Sequence, residues 1–306
     1  MQRLIAMRVF YGFITLIIVS MLVFILSRLT GDPTSLMLPL DATEEARENM
    51  RHVLGLDRPL PEQYWIFVSN AVRGDLGKSI RFREQVSALY MQRLPNTLKL
   101  AGCAVLFVLV VSIPLGCLSA LKKDSAFDVG VRTVVSMGLA APSFWLGLML
   151  MQIFAVWLRW VDAAGMAKPT SYILPAVTLG MHMASGITRI LRSGMIDVLD
   201  SEFIKMLRIK GLPERQVVFR HGLKNAFIPP LTILGQYTAI ILGGAVVVEV
   251  IFTWPGIGRL SYEAIMSRDF PVIQAVVLIN GAILLFANLL VDILYAYVDP
   301  RIRSSV

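Results

Sequence analysis

The chain has 306 residues, 56% of them hydrophobic and only 16% charged, with a formal net charge of +8. Two soluble domains of this length would carry far more charge, so the composition excludes them and indicates a polytopic membrane protein. The positive balance does not indicate a nucleic-acid partner, because the cations cluster beside apolar runs and no nucleic-acid motif accompanies them.

Residues 9–27 form a run of 19 residues without a charge, long enough to cross a hydrocarbon layer of roughly 30 Å as a helix. Arg3 and Arg8 precede it and no small-residue cleavage site follows, so the run reads as a retained anchor and not a removed signal. Further spans are predicted over 100–121, 133–158, 171–188, 227–252 and 271–298, which makes six. The fourth is the weakest, because Pro175, Gly180, His182 and Gly186 interrupt it. With the N-terminus inside, the inner segments hold fifteen Lys and Arg. The short outer loops hold only Arg159, Lys168, Arg259 and Arg268, so both termini are expected in the cytoplasm.

Residues 28–99 are too polar to be a span and too patterned to be a linker. Asp41 and Glu44 read as the start of a helix ending at Gly55, and 61–73 as a second ending at Gly74. Tyr64, Trp65 and Phe67 on that second helix suit either a membrane or docking face, or a plain amphipathic cover. Gly77-Lys78-Ser79 imitates the end of a phosphate-binding loop, but the required upstream glycine is Val72 and no strand precedes it. Nucleotide binding by this chain is therefore rejected.

Cys103 and Cys117, the only cysteines, lie about 21 Å apart on one helix, too far for a disulfide. His52, His182 and His221 fall in separate segments and form no metal-ligand set. Glu249 and Asp292 are the carboxylates deepest within spans, and such charges are candidates for function. Structural alternatives stand beside that reading: Asp292 pairing near the inner end of its span, and Glu249 anchoring the turn that follows. No nucleophile and base, paired carboxylates or cofactor loop can be assembled, so no catalysis is expected.

The most informative inner segment is 202–230. Ser201 suits an N-cap, Gly211 a left-handed stop, and Pro213 the first position of a second helix running toward Lys224 until Pro229 and Pro230 end it. Spacing puts Phe203, Leu207 and Lys210 on one face of the first helix, and Val217 near Arg220 and His221 on the second. Such short basic amphipathic helices suit either a groove on a partner or the membrane surface.

Lys210-Gly211-Leu212, Val217, Arg220-His221, Leu223, Lys224-Asn225-Ala226 and Pro229 resemble the cytoplasmic coupling loop of ATP-binding-cassette importer permeases of the dipeptide, oligopeptide and nickel family. Bulky Met206, Leu207 and Ile209 depart from the small residues usual before the glycine. Gly31-Asp32-Pro33, the run 54–59, 73–77, Leu94-Pro95-Asn96-Thr97-Leu98, the turn 252–260 and Asp299-Pro300-Arg301-Ile302-Arg303 are similar to the family's first, or B-type, permease subunit. The resemblance implies an all-α membrane protein with six transmembrane helices of the type I importer permease fold. Its implied parts are a cytoplasmic N-terminus and first span (1–27), a small helical periplasmic insertion between helices 1 and 2 (28–99), a five-helix core (100–298) containing the coupling loop 189–226, and a cytoplasmic tail (299–306).

What the resemblance further implies is a multi-pass subunit of the bacterial inner membrane that pairs with a homologous second permease. Two ATPases carrying ATP and Mg, and a substrate-binding protein outside, complete the importer; this chain itself binds no cofactor. Glu202, Phe203, Leu207, Arg208, Lys210, Gly211, Leu212, Arg220, His221 and Asn225 would form the ATPase-coupling loop. Met137, Ser143, Phe144, Gln236, Tyr237 and Glu249 are candidates for the pathway or its gate. Di- or oligopeptides are the expected cargo, with glutathione, nickel chelates and oligosaccharides as alternatives. The competing classes are a proton-coupled carrier using Glu249 and Asp292, and a scaffold that recruits a soluble partner.

Overall fold

The computed structural model describes residues 2–29, 34, 38, 43–53, 55–242 and 245–298. Gly31-Asp32-Pro33, Asp41, the Asp292 side chain and the motif 299–303 lie outside the described residues. The described chain is helical without a strand, and it divides into two compact units. One comprises Met1–Thr97 with Pro255–Val306, the other Leu98–Trp254.

In the first unit, α1 (Gln2–Leu29) packs along α13 (Phe270–Val298). The approach is close because each helix offers a glycine to a leucine of the other: a Cβ at Gly281 would stand 3.3 Å from Leu16, and one at Gly12 3.6 Å from Leu285. Gln274 Nε2 donates to Ser27 Oγ at 2.5 Å, fixing the register. The helices α2 (Glu44–Val53) and α3 (Leu60–Val72) occupy the expected places, and Gly55 and Gly74 follow them with φ of 64° and 83°. Tyr64 shares a 2.7 Å hydrogen bond with Ser20 and packs edge-on to Phe24, so α3 lies against α1.

The run Gly77-Lys78-Ser79 has a structural use. Ser79 is buried and donates to Asp269 at 2.5 Å, while the Ile80 and Arg81 amides donate to the same carboxylate at 3.1 Å. This ties residues 79–81 to the start of α13. Two of the sequence motifs also meet in this unit: Asn96 Nδ2 donates to the Pro255 carbonyl and Ile257 N to Thr97 Oγ1, both at 2.9 Å. Ile257 opens α12 (Ile257–Met266), whose Leu260 and Ala264 share a core with Val86, Tyr90 and Val272.

The second unit begins within α4 (Val86–Leu121), a single helix that runs through Pro95 and extends well before the span predicted at 100–121. Cys103 and Cys117 both stand on it as packing residues. The span predicted over 133–158 is not one helix. α5 (Ala126–Ala140) and α6 (Ser143–Leu150), the latter continued by a π-turn over Met151–Trp157, meet at a 111° bend. Pro142 forces its predecessor out of the helical region, and Ala141 has ψ of 125°.

The fourth segment departs in the opposite direction. α7 (Ile173–Leu199) is unbroken for 27 residues. Pro175 falls in its first turn, where an N–H would have no intrahelical acceptor. Gly180 lets α4 approach, since a Cβ there would meet Phe107 at 2.8 Å and the Ala104 carbonyl at 3.0 Å. The fifth segment is described as two helices, α10 (Ile228–Leu242) and α11 (Val246–Ile251). α5, α6, α10 and α11 all pack on α7, which is the axis of this unit.

Three described helices are long and apolar enough to cross a membrane: Ala6–Leu29, Val86–Leu121 and Phe270–Leu290. The bent pair α5–α6 makes a fourth if it counts as one span.

Candidate functional site

The candidate coupling segment begins where α7 ends. Asp200 closes that helix, Ser201 adopts an extended backbone, and α8 (Glu202–Ile209) starts. Ser201 occupies the predicted N-cap position, but its hydroxyl donates back to the Val198 carbonyl at 2.6 Å and does not cap α8. Gly211 has φ of 77°, the left-handed conformation expected of it. Pro213 is not the first helical residue; its carbonyl accepts from Gln216 N and Val217 N at 2.8 and 3.1 Å.

The second helix is mostly a π-turn, Gln216–Gly222, followed by α9 (Leu223–Ala226). A π-turn winds less per residue than an α-helix, which keeps adjacent Val217 and Val218 together on the buried side. Pro229 and Pro230 then lie in the first turn of α10.

One face of the segment rests on the last turns of α7 and α4. Ile204, Val217, Val218 and Ala226 are buried with Leu191, Met195, Leu199 and Cys117, and Leu207 and Leu212 pack on the rim. The inward face of α8 is thus centred on Ile204; of the three residues expected on one face open to a partner or the membrane surface, Phe203 and Lys210 are exposed and Leu207 is turned to the core. Ile204 and Leu207, three apart, carried the signal for this face. Phe203 instead stands edge-on to the His221 ring, at 6.2 Å.

The opposite side has a distinct chemistry. Phe203, Met206, Ile209 and Phe219 are exposed apolar side chains, Ile209 to 86%, among the exposed cations Lys205, Arg208, Lys210, Arg215 and Arg220. Two of the bulky residues before the glycine, Met206 and Ile209, therefore enlarge the outer ridge, while Leu207 serves the inner core. An open hollow of about 420 Å³ beside the ridge is lined by Asp197, Val198, Ser201, Phe203 and Asn225. Asn225 donates to the His221 carbonyl at 2.8 Å, and Glu202 pairs with Lys205 at 2.7 Å.

Across the Gly211 turn, Arg208 donates to both oxygens of Glu214, at 2.8 and 3.2 Å. The donated hydrogen bonds hold the Glu214 carboxyl below its ordinary range and push the guanidinium further up.

The six candidate pathway residues stand on α5, α6, α10 and α11, all packed against α7. Met137, Ser143, Phe144 and Gln236 are exposed. Tyr237 is half-buried against the His182 ring of α7, at 6.5 Å. Glu249 is fully buried on α11, and its carbonyl accepts from Trp254 N at 2.7 Å within the turn that follows. Among the described residues no group of three or more His, Cys, Asp and Glu is placed to hold a metal ion.

Sequence reasoning missed Asp128. Its side chain is wholly buried and accepts from Arg192 Nε and Nη2, both at 2.6 Å, and from Ser119 Oγ and Asp124 N. The stretch 122–132 reads as a charged inner loop, which hid it. The available signal was Ser125 followed three residues later by an acid, a helix-capping pattern; Ser125 Oγ accepts from Asp128 N at 3.3 Å.

Residues 112–304 match the model of the family described as binding-protein-dependent transport system inner membrane component, and residues 1–101 match that of its N-terminal region. The chain belongs to this permease family. The main match contains the whole coupling segment, all six pathway candidates and the Asp128–Arg192 pair. The permease is similar to the glutathione transport system permease protein GsiC of Pectobacterium atrosepticum, 41% identical over 94% of this chain and 95% of the relative. It is also similar to the oligopeptide transport system permease protein AppB of Bacillus subtilis, 42% identical over 89% and 90%, and to GsiC of Escherichia coli K12, 39% identical over 94% and 95%.

Proposed function

We propose that this permease forms half of the translocation pathway of an ATP-driven, binding-protein-dependent importer of short peptides. In this reading six helical spans cross the inner membrane with both termini in the cytoplasm, and the 28–99 region lies outside. A homologous second permease supplies the other half. Two cytoplasmic ATPases hold ATP and Mg, and an external binding protein delivers cargo.

The observation that carries the reading is the coupling segment. A ridge of exposed apolar side chains ringed by cations suits the groove of a soluble partner, and its inner face is seated on the end of α7. A push on the ridge is therefore delivered to the helix on which the pathway candidates pack. Partners shift such a gate only through different contacts in its two states. The peptide class rests on the relatives, since glutathione is itself a tripeptide and AppB is an oligopeptide permease.

Purification from the native membrane in mild detergent tests the assembly. Two P-loop ATPases and a second permease are expected to copurify, and the reconstituted complex is expected to take up labelled tri-alanine or glutathione only with ATP. A chain that purifies alone and moves solute without ATP would overturn the reading in favour of a carrier based on Glu249.

A further inference from the structure

We propose that Asp128 and Arg192 form a transmission clamp, a positioning pair that makes α5 move as one body with the coupling segment. The inference rests on the coupling-segment reading above and names the route by which its motion reaches α5.

The geometry begins on one turn of α7. Leu191 and Met195 are fully buried in the core that seats the coupling segment. A Cβ on Gly194 would stand 3.3 Å from the Ala226 carbonyl, so α9 is held against the same turn. Arg192, between them in sequence, reaches away to Asp128 on the first turn of α5. One helical turn thus grips the coupling segment through apolar packing and α5 through a two-point ion pair.

Asp128 suits the task because it is fully engaged. Ser119 reaches it from the end of α4, Asp124 N from the connecting turn, and Arg192 from α7 with two parallel bonds that fix both distance and orientation. Arg132 adds a looser contact at 3.6 Å from the outer rim. A carboxylate with so many donors cannot rotate without losing several bonds together.

A second contact fixes the angle between the helices. Gly138 on α5 is covered by the Ser185 hydroxyl of α7, which leaves no room for a Cβ. The two attachments lie about 15 Å apart along α5. Two fixed points on one helix prevent it from pivoting about either. Met137, beside the second point, is carried along with any displacement of α7.

A merely structural pair and a transmitting pair are separated by Asp128→Asn combined with Arg192→Met. The double variant leaves no orphaned charge: the asparagine oxygen, in place of the carboxylate oxygen that faces Asp124, accepts from Asp124 N, and its NH2, in place of the other, donates to Ser119 Oγ, so folding is retained. In the reconstituted complex, ATPases are expected to copurify in wild-type proportion and to hydrolyse ATP. Uptake of labelled tri-alanine or glutathione is expected to fall about tenfold, so that ATP consumed per molecule moved rises by the same factor. A wild-type ratio in the double variant overturns the clamp. So does a double variant that no longer assembles, since the pair is then a prop. Failure of the coupling-segment reading shows separately, in a wild-type permease that purifies without ATPases, and it overturns both.

Discussion

A Cβ on Gly180 would stand 2.8 Å from Phe107 and 3.0 Å from a main-chain oxygen of α4, whereas one on Gly211 meets nothing within 4 Å. The first glycine is required by space and the second by its φ of 77°. Thermal unfolding of the purified permease separates the two. Gly180→Ala is expected to lower stability by about 1–3 kcal/mol and Gly180→Leu by more, because each added carbon must displace α4. Gly211→Ala and Gly211→Leu are expected to cost about 1 kcal/mol each, without dependence on size. A size effect at 211, or none at 180, would contradict this assignment. The contrast also marks what a sequence reveals. Gly211 was legible because helix-stop chemistry is local, while Gly180 looked like a helix breaker because its neighbour, 73 positions away at Phe107, was invisible.

At the scale of elements, the prolines make the same point. Pro142 breaks a helix and Pro175 does not, although both lie in apolar runs. The difference is that a short 3₁₀ turn, Pro169–Tyr172, starts α7 just ahead of Pro175, and this start depends on Asp162 gathering Lys168, Thr170 and Ser171 at 3.1–3.2 Å. The coupling segment was legible as two helices about a glycine. Its π-turn was not, because only the buried valine pair reveals why the turn widens. The Arg208–Glu214 clasp across that glycine yields a pH prediction. Glu214 has a lowered pKa in the folded chain, so the clasp contributes fully above the ordinary glutamate value of about 4.3 and its contribution fades as pH falls through the lowered value. Both side chains are substantially exposed, 42% and 59%, which limits the contribution to about 1 kcal/mol at low salt. Amide exchange across 208–216, corrected for intrinsic rates, should accelerate by no more than about fivefold in Glu214→Gln at neutral pH, and 1 M salt should erase the difference. Unchanged exchange at low salt would remove the clasp from the segment's design.

For the whole chain, apolar runs announced that helices cross a membrane but not how they are built, since a straight helix and a pair bent by 111° have the same hydropathy. The pairing of α1 with α13 was equally hidden, because hydropathy says nothing about which spans meet. Interlocked glycines and leucines and the Gln274–Ser27 bond make that pairing self-sufficient. A chain divided within 39–42 and co-expressed as two pieces is therefore expected to reassemble, with the first piece retained when the second is purified through a tag. Replacing Gly281 with Leu should release it.

α7 has one more consequence. As an unbroken helix of 27 residues it is about 40 Å long. Its segment end carries Leu191, Met195 and Leu199, and its other end places Leu174 and Ala176 in a cluster with Phe252 and Trp254. A tilt of about 10° around its midpoint would displace each end by roughly 3.5 Å, in opposite directions. Under such a tilt the helix would act as a seesaw: a stroke at the basic end would reappear at the tryptophan end with equal size and reversed sign. Such a coupled motion would need no intermediate parts, and a single kink in α7 would be enough to abolish it.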